Sequence, residues 1–211
     1  MPLRNTLILL GVICVATCIA LGIAAATAED EPPKASAVVK VVLPDGHGSA
    51  VHIGKGYVLT AAHVVSGNKT VDVKTSTNAT LKAEVLWANE TYDVALLRVK
   101  DPSRLAFAKL TCRTPKIGEA ISSEGHPSKS DFVTVWGKIA GNERPFGPWR
   151  SVVVTDIVTV PGQSGSPIFD EKGDVVGVVV GVMIIPAGFS FSLASIGYAV
   201  PGSTICPLLA R

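Results

Sequence analysis

From Ala37 to the end of the 211-residue chain, short runs rich in Val, Ile, Thr and Leu alternate with Gly, Pro, Asn and Asp. Punctuation of this kind breaks a chain into short strands and leaves little room for helices. Six strands are expected near 37–43, 48–53, 56–60, 71–75, 80–87 and 93–99. After a connection over Lys100–Gly118, six more are expected near 119–124, 131–140, 151–156, 166–170, 174–183 and 196–200. Only 202–209 reads as a short helix. Two sets of six with a linker between them predict an all-β protein of two small antiparallel barrels, since closure removes exposed strand edges. The first barrel would occupy about 37–100 and the second about 118–200. Val175–Ile185 is almost wholly apolar, yet too short to span a bilayer and interrupted by Gly177 and Gly181, so it reads as a buried strand.

The N-terminal end follows different rules. Arg4 is followed by an uncharged stretch, Thr6–Ala28, that closes on Ala26-Thr27-Ala28 before Glu29-Asp30. This is the pattern of a secretory signal peptide. The stretch is also long enough to remain as a signal anchor across a ~30 Å bilayer. Either reading exports the rest of the chain, as a periplasmic, secreted or membrane-tethered domain. Residues 1–28 are therefore read as signal or anchor, 29–36 as a polar linker and 37–209 as the working domain.

Composition narrows the functions. With 47% hydrophobic and 17% charged residues the chain is not disordered. A net charge of +2 with no Lys/Arg stripe argues against a nucleic-acid partner. Cys14 and Cys18 lie in the apolar leader, leaving Cys112 and Cys206, too few for a zinc site. Sequons start at Asn68, Asn78 and Asn89 and matter only in a host that glycosylates.

Three segments carry chemistry. Gly56-Tyr-Val-Leu-Thr-Ala-Ala-His63 delivers a histidine to the end of a strand. Thr91-Tyr-Asp93-Val-Ala-Leu-Leu opens an apolar strand with a carboxylate. Pro161-Gly162-Gln-Ser164-Gly165-Ser166-Pro167 sets a serine in a glycine-flanked turn. Each is weak alone: a lone His, a strand-opening Asp and a glycine turn are all common. Together they occur in the order His, Asp, Ser, the first two in one strand set and the third in the other. A cleft between barrels would unite them. Serine needs a neighbouring base to become a nucleophile. An imidazole can take its proton and return it to a leaving amine. A carboxylate fixes the imidazole tautomer. The turn's glycines would leave the N–H groups of Gly162 and Ser164 free to meet an oxyanion.

The motifs T-A-A-H-V, Y-D-V-A-L-L and T-D-I-V-T-V-P-G-Q-S-G-S-P resemble the three catalytic segments of trypsin-like serine proteases, most closely the HtrA/Deg protease domain. Ile196-Gly-Tyr-Ala-Val-Pro-Gly-Ser-Thr resembles the end of that domain, so the likeness runs from Val38 to about Leu209. It implies a chymotrypsin-like double barrel and a serine endopeptidase acting on polypeptides through an acyl-enzyme. His63, Asp93 and Ser164 would be catalytic, with no metal and no organic cofactor. It implies a specificity pocket walled by Ile157, Val158, Thr159, Val179, Val180, Gly181 and Val182. A wall without charge favours small or medium apolar P1 side chains. The likeness also places Cys112 and Cys206 near each other, within reach of a disulfide. It sets the loop Pro186–Ser195 where HtrA/Deg proteins gate the active site; its phenylalanines could instead form a surface patch or membrane contact. Protein quality control is the expected setting.

Departures qualify the likeness. No PDZ domain is expected within these 211 residues, which leaves the oligomeric state open. Gln163 stands where pancreatic-type trypsins carry an acidic residue, so activation by a new N-terminus is not expected. The alternatives are a catalytically latent, peptide-capturing scaffold and a membrane-anchored regulatory protease. His47, His52 and His126 fall outside the match, and His126-Pro127 reads as a turn. Asp72, Asp101 and Asp156 are weaker candidates than Asp93, and Trp87, Trp136 and Trp149 read as core or rim packing.

Overall fold

The computed structural model describes residues 35–188 and 190–210. The expected signal or anchor, linker residues 29–34, Cys14, Cys18 and Phe189 lie outside the described residues. The first barrel consists of β1 (Val38–Leu43), β2 (Gly46–Gly54), β3 (Tyr57–Thr60), β4 (Thr70–Lys74), β5 (Thr80–Asn89) and β6 (Val94–Val99). It closes in the order β1-β2-β3-β6-β5-β4. The second consists of β7 (Ala120–Gly125), β8 (Val133–Phe146), β9 (Trp149–Thr155), β10 (Pro167–Phe169), β11 (Val175–Ala187) and β12 (Ser190–Pro201). It closes in the order β10-β11-β12-β9-β8-β7. One helical turn, α1 (Ala62–Val65), follows β3, and α2 (Gly202–Leu209) follows β12. The expected all-β double barrel with a short C-terminal helix is the fold of this chain. Among the described residues no helix is long and apolar enough to cross a membrane.

Burial explains the patterns. In β4, Val71 and Val73 face inward while their neighbours reach solvent, the period of a strand with one wet face. β11 reads as an almost wholly apolar run because over 175–180 both its faces are covered. Val175, Val178 and Val180 join the core that runs through the first barrel, and Val176 and Val179 join a second cluster with Ile121, Ile139 and Ile168. The large core also takes in Tyr198, Ile205 and Leu208, so the barrels share apolar packing across their seam. Cys112 of the connection and Cys206 of α2 are disulfide-bonded, with Cα atoms 5.5 Å apart.

Strands of the second barrel run further than expected. β8 continues to Phe146, and Pro186–Ser195 is not a loop but the end of a long β11–β12 hairpin, with Ile184 opposite Leu193 and Ala187 opposite Ser190. The turn lies at Gly188 (φ 63°).

Candidate active site

His63 sits on the single turn of α1. Ala62, Val64 and Val65 are buried there, which turns the imidazole outward, its side chain 49% exposed. Asp93 occupies the turn that opens β6 in a left-handed conformation (φ 55°), which Asp tolerates better than most residues. Its carboxylate is only 10% exposed. Oδ1 accepts the His63 backbone N–H at 2.9 Å and Oδ2 accepts from Nδ1 at 2.8 Å. A third donor, the Trp149 indole N–H, reaches Oδ2 at 3.1 Å from the second barrel. An ionised carboxylate only accepts, so Nδ1 carries the imidazole proton and Nε2 keeps a lone pair.

Ser164 lies in the Pro161–Pro167 turn. Gly162 (φ 96°) and Gly165 (φ 86°) are both left-handed, and a Cβ on Gly165 would run into the Ser49 carbonyl. Gln163 is buried and closes the turn on itself, its Oε1 accepting the Val160 N–H at 2.8 Å. The turn is also bonded to both barrels. Gly165 donates to the Val179 carbonyl (2.7 Å), and Ser49 of β2 donates its N–H to the Ser164 carbonyl (2.8 Å) and its hydroxyl to the Gly162 carbonyl (2.8 Å). Among the described residues, the N–H groups of Gly162 and Ser164 meet no protein acceptor. Ser164 and His63 line one cavity of about 450 Å³ with Gly162, Pro161 and His47. Among the described residues, no hydrogen bond joins Ser164 Oγ to His63 Nε2 in this arrangement.

Beneath the turn lies a polar group that the sequence did not reveal. His126 is wholly buried, with Nδ1 3.1 Å from Ser49 Oγ, and its own backbone N–H donates to that hydroxyl. Ser49 has one hydroxyl proton, already given to Gly162, so His126 Nδ1 is the donor. Burial pushes the His126 pKa down to about 4, so the ring is neutral. Its carbonyl accepts from His47 Nε2 at 2.8 Å.

The expected pocket wall is largely closed. Ile157, Thr159, Val179 and Val180 are buried, Gly181 and Val182 are half-buried, and Val158 is 54% exposed. The weaker carboxylates lie elsewhere: Asp72 pairs with Lys82 at 2.7 Å, Asp101 accepts the Ser103 N–H, and Asp156 accepts the Lys138 N–H. His52 is held by the Ala106 carbonyl and the Gly56 N–H. Among the described residues no His/Cys/Asp/Glu group has the arrangement of a metal site. Trp149, Ser49 and His126 escaped the sequence reading because their partners lie 56, 113 and 77 positions away and no local pattern marks them.

Comparison with known proteins bears on the fold and the family. Over 149 residues the chain is 32% identical to the probable periplasmic serine endoprotease DegP-like of Pseudomonas savastanoi pv. phaseolicola, covering 69% of this chain and 30% of that protein. It is 27% identical over 172 residues to Protease Do-like 1, chloroplastic, of Arabidopsis thaliana, covering 77% of this chain and 38% of that one. The chain thus spans well under half the length of these curated relatives. Among solved structures, the inactive form of a serine-to-alanine mutant of Rv3671c from M. tuberculosis H37Rv superposes with a TM-score of 0.67 at 25% identity, covering 82% of this chain and 85% of that one. The HtrA-type protease AlgW with tripeptide shares the fold at a TM-score of 0.71 and 21% identity, covering 82% and 59%. The trypsin-like peptidase domain model matches residues 48–178, a span that holds His63, Asp93 and Ser164, and this chain belongs to that family.

Proposed function

We propose that the chain is a serine endopeptidase of the HtrA/DegP type, with its working domain over 37–209. Ser164 is the nucleophile, His63 the general base and acid, and Asp93 the group that orients and charge-stabilises the imidazole. The N–H groups of Gly162 and Ser164 receive the oxyanion of the tetrahedral intermediate. One observation carries the reading: Asp93 holds His63 at two points beside the cavity that Ser164 also lines. The two-point hold leaves the imidazole one orientation, with Nε2 free to take the Ser164 proton and hand it to the leaving amine. The Ser164–His63 hydrogen bond forms as substrate closes the cleft, since such contacts are often long in unliganded sites. The uncharged wall of 157–159 and 179–182 favours small or medium apolar P1 side chains. The periplasmic name of the Pseudomonas relative supports export, and residues 6–28 would direct or tether the domain outside the cytoplasm. Polypeptides in need of quality control are the fitting substrates.

A latent site is the second reading, favoured by the closed pocket wall and by the missing Ser164–His63 bond. Labelling the full chain with a fluorophosphonate separates the two. An adduct on Ser164 that is lost in Ser164→Ala and falls at least a hundredfold in rate in His63→Ala supports the protease. A folded wild type that takes no label supports latency.

A further inference from the structure

We infer that Trp149 is a positioning residue: its indole N–H holds the Asp93 carboxylate, and so the base, from the opposite barrel. The inference rests on the reading of His63 and Asp93 given above.

The geometry leaves the indole little choice. Trp149 opens β9 immediately after the Gly147-Pro148 turn of the β8–β9 hairpin. The backbone beside it is pinned, with the Arg150 N–H donating to the Thr91 carbonyl at 3.4 Å. The ring lies 5.7 Å from Tyr198, which stacks on Phe146 at 4.4 Å. On another side it presses so closely on Gly181 of β11 that a Cβ there would collide with it. Wedged in this way, the ring points its only polar atom at Asp93 Oδ2, the oxygen that also receives His63 Nδ1. An indole N–H only donates, and a carboxylate this buried needs its lone pairs filled. Asp93 thus has three N–H donors, two from His63 and one from the other barrel.

Two consequences separate this role from packing. The third bond narrows the carboxylate rotamer that the two His63 contacts already define, so its loss loosens the base and lowers kcat more than it changes KM. The bond also draws charge from Oδ2, so its loss strengthens the pull of Asp93 on the imidazolium. Glu90, which lines the same roughly 340 Å³ cavity as His63, Asp93 and Trp149, Asp45 and His47, which line the Ser164 cavity with His63, and the exposed Arg150 are common to wild type and variant and cancel.

The test uses the full chain in detergent and two readouts. In wild type, the Trp149 indole N–H resonance, assigned with Trp87→Phe and Trp136→Phe, should move with the pH titration of His63. That movement should vanish in His63→Ala. In Trp149→Phe, the acidic limb of kcat/KM should shift to higher pH, and kcat should fall roughly ten- to hundredfold, the value of one hydrogen bond to a charged group. An indole resonance indifferent to His63 overturns the inference, as does a folded Trp149→Phe variant with an unmoved limb and unchanged kcat. The resonance requires no turnover. Should Ser164 take no label while the indole tracks His63, the protease reading falls and only the Trp149–Asp93–His63 coupling stands.

Discussion

Protonating His126 works against folding. The free imidazole titrates near 6.5, whereas burial holds the folded ring down to about 4, so the native state binds this proton less readily than the unfolded chain. Stability from this residue is complete above about pH 6.5 and drains away as pH falls toward 4. It amounts to about 3 kcal/mol. Asp131 opposes the shift, while Lys40, His47 and Lys74 reinforce it. Urea unfolding at pH 7.5 and 4.5 should show a drop in wild type that shrinks in His126→Asn. Gly165→Ala should cost about 3 kcal/mol or more and abolish fluorophosphonate labelling, because a left-handed alanine there meets the Ser49 carbonyl. As candidates, His63, Asp93 and Ser164 were legible because each sits in a local pattern of small and apolar neighbours. Ser49 and His126 were not. Nothing beside a serine in G-H-G-S-A tells that its hydroxyl supports a turn 113 residues later.

At the level of elements, the reading succeeded where burial enforces a period and slipped where it does not. β4, read at 71–75, spans Thr70–Lys74, and the helix read at 202–209 is α2. The outer half of the β11–β12 hairpin was read as a loop because the HtrA/Deg likeness sets one there. What holds it as strands is pairing between its two arms, a non-local fact. Among the described residues, β11 meets β10 only at Val175–Val178 and β12 meets β9 only at Gly197–Ala199, so the outer hairpin pairs with itself alone. Ile184 is 57% exposed and Leu193 45%, so this end buries little. Replacing 184–193 by a two-residue turn should therefore leave the melting temperature within about 4 °C of wild type, as followed by circular dichroism. A larger loss would mean that the arm packs on the barrel.

Across the whole molecule, the Cys112–Cys206 bond closes a loop of 94 residues that encloses the second barrel. On a chain-entropy basis a loop of that size stabilises by roughly 4–5 kcal/mol. The double variant Cys112→Ala/Cys206→Ala should lose several kcal/mol in urea unfolding measured against oxidised wild type. The division of the site between barrels has a further consequence. The ribosome delivers His63 and Asp93 first, in a barrel closed by residue 99, and Ser164 only after another 65 residues have been added. Under the proposed roles the nascent chain until then has a base with nothing to activate, and its first barrel cannot be the agent of its own cleavage.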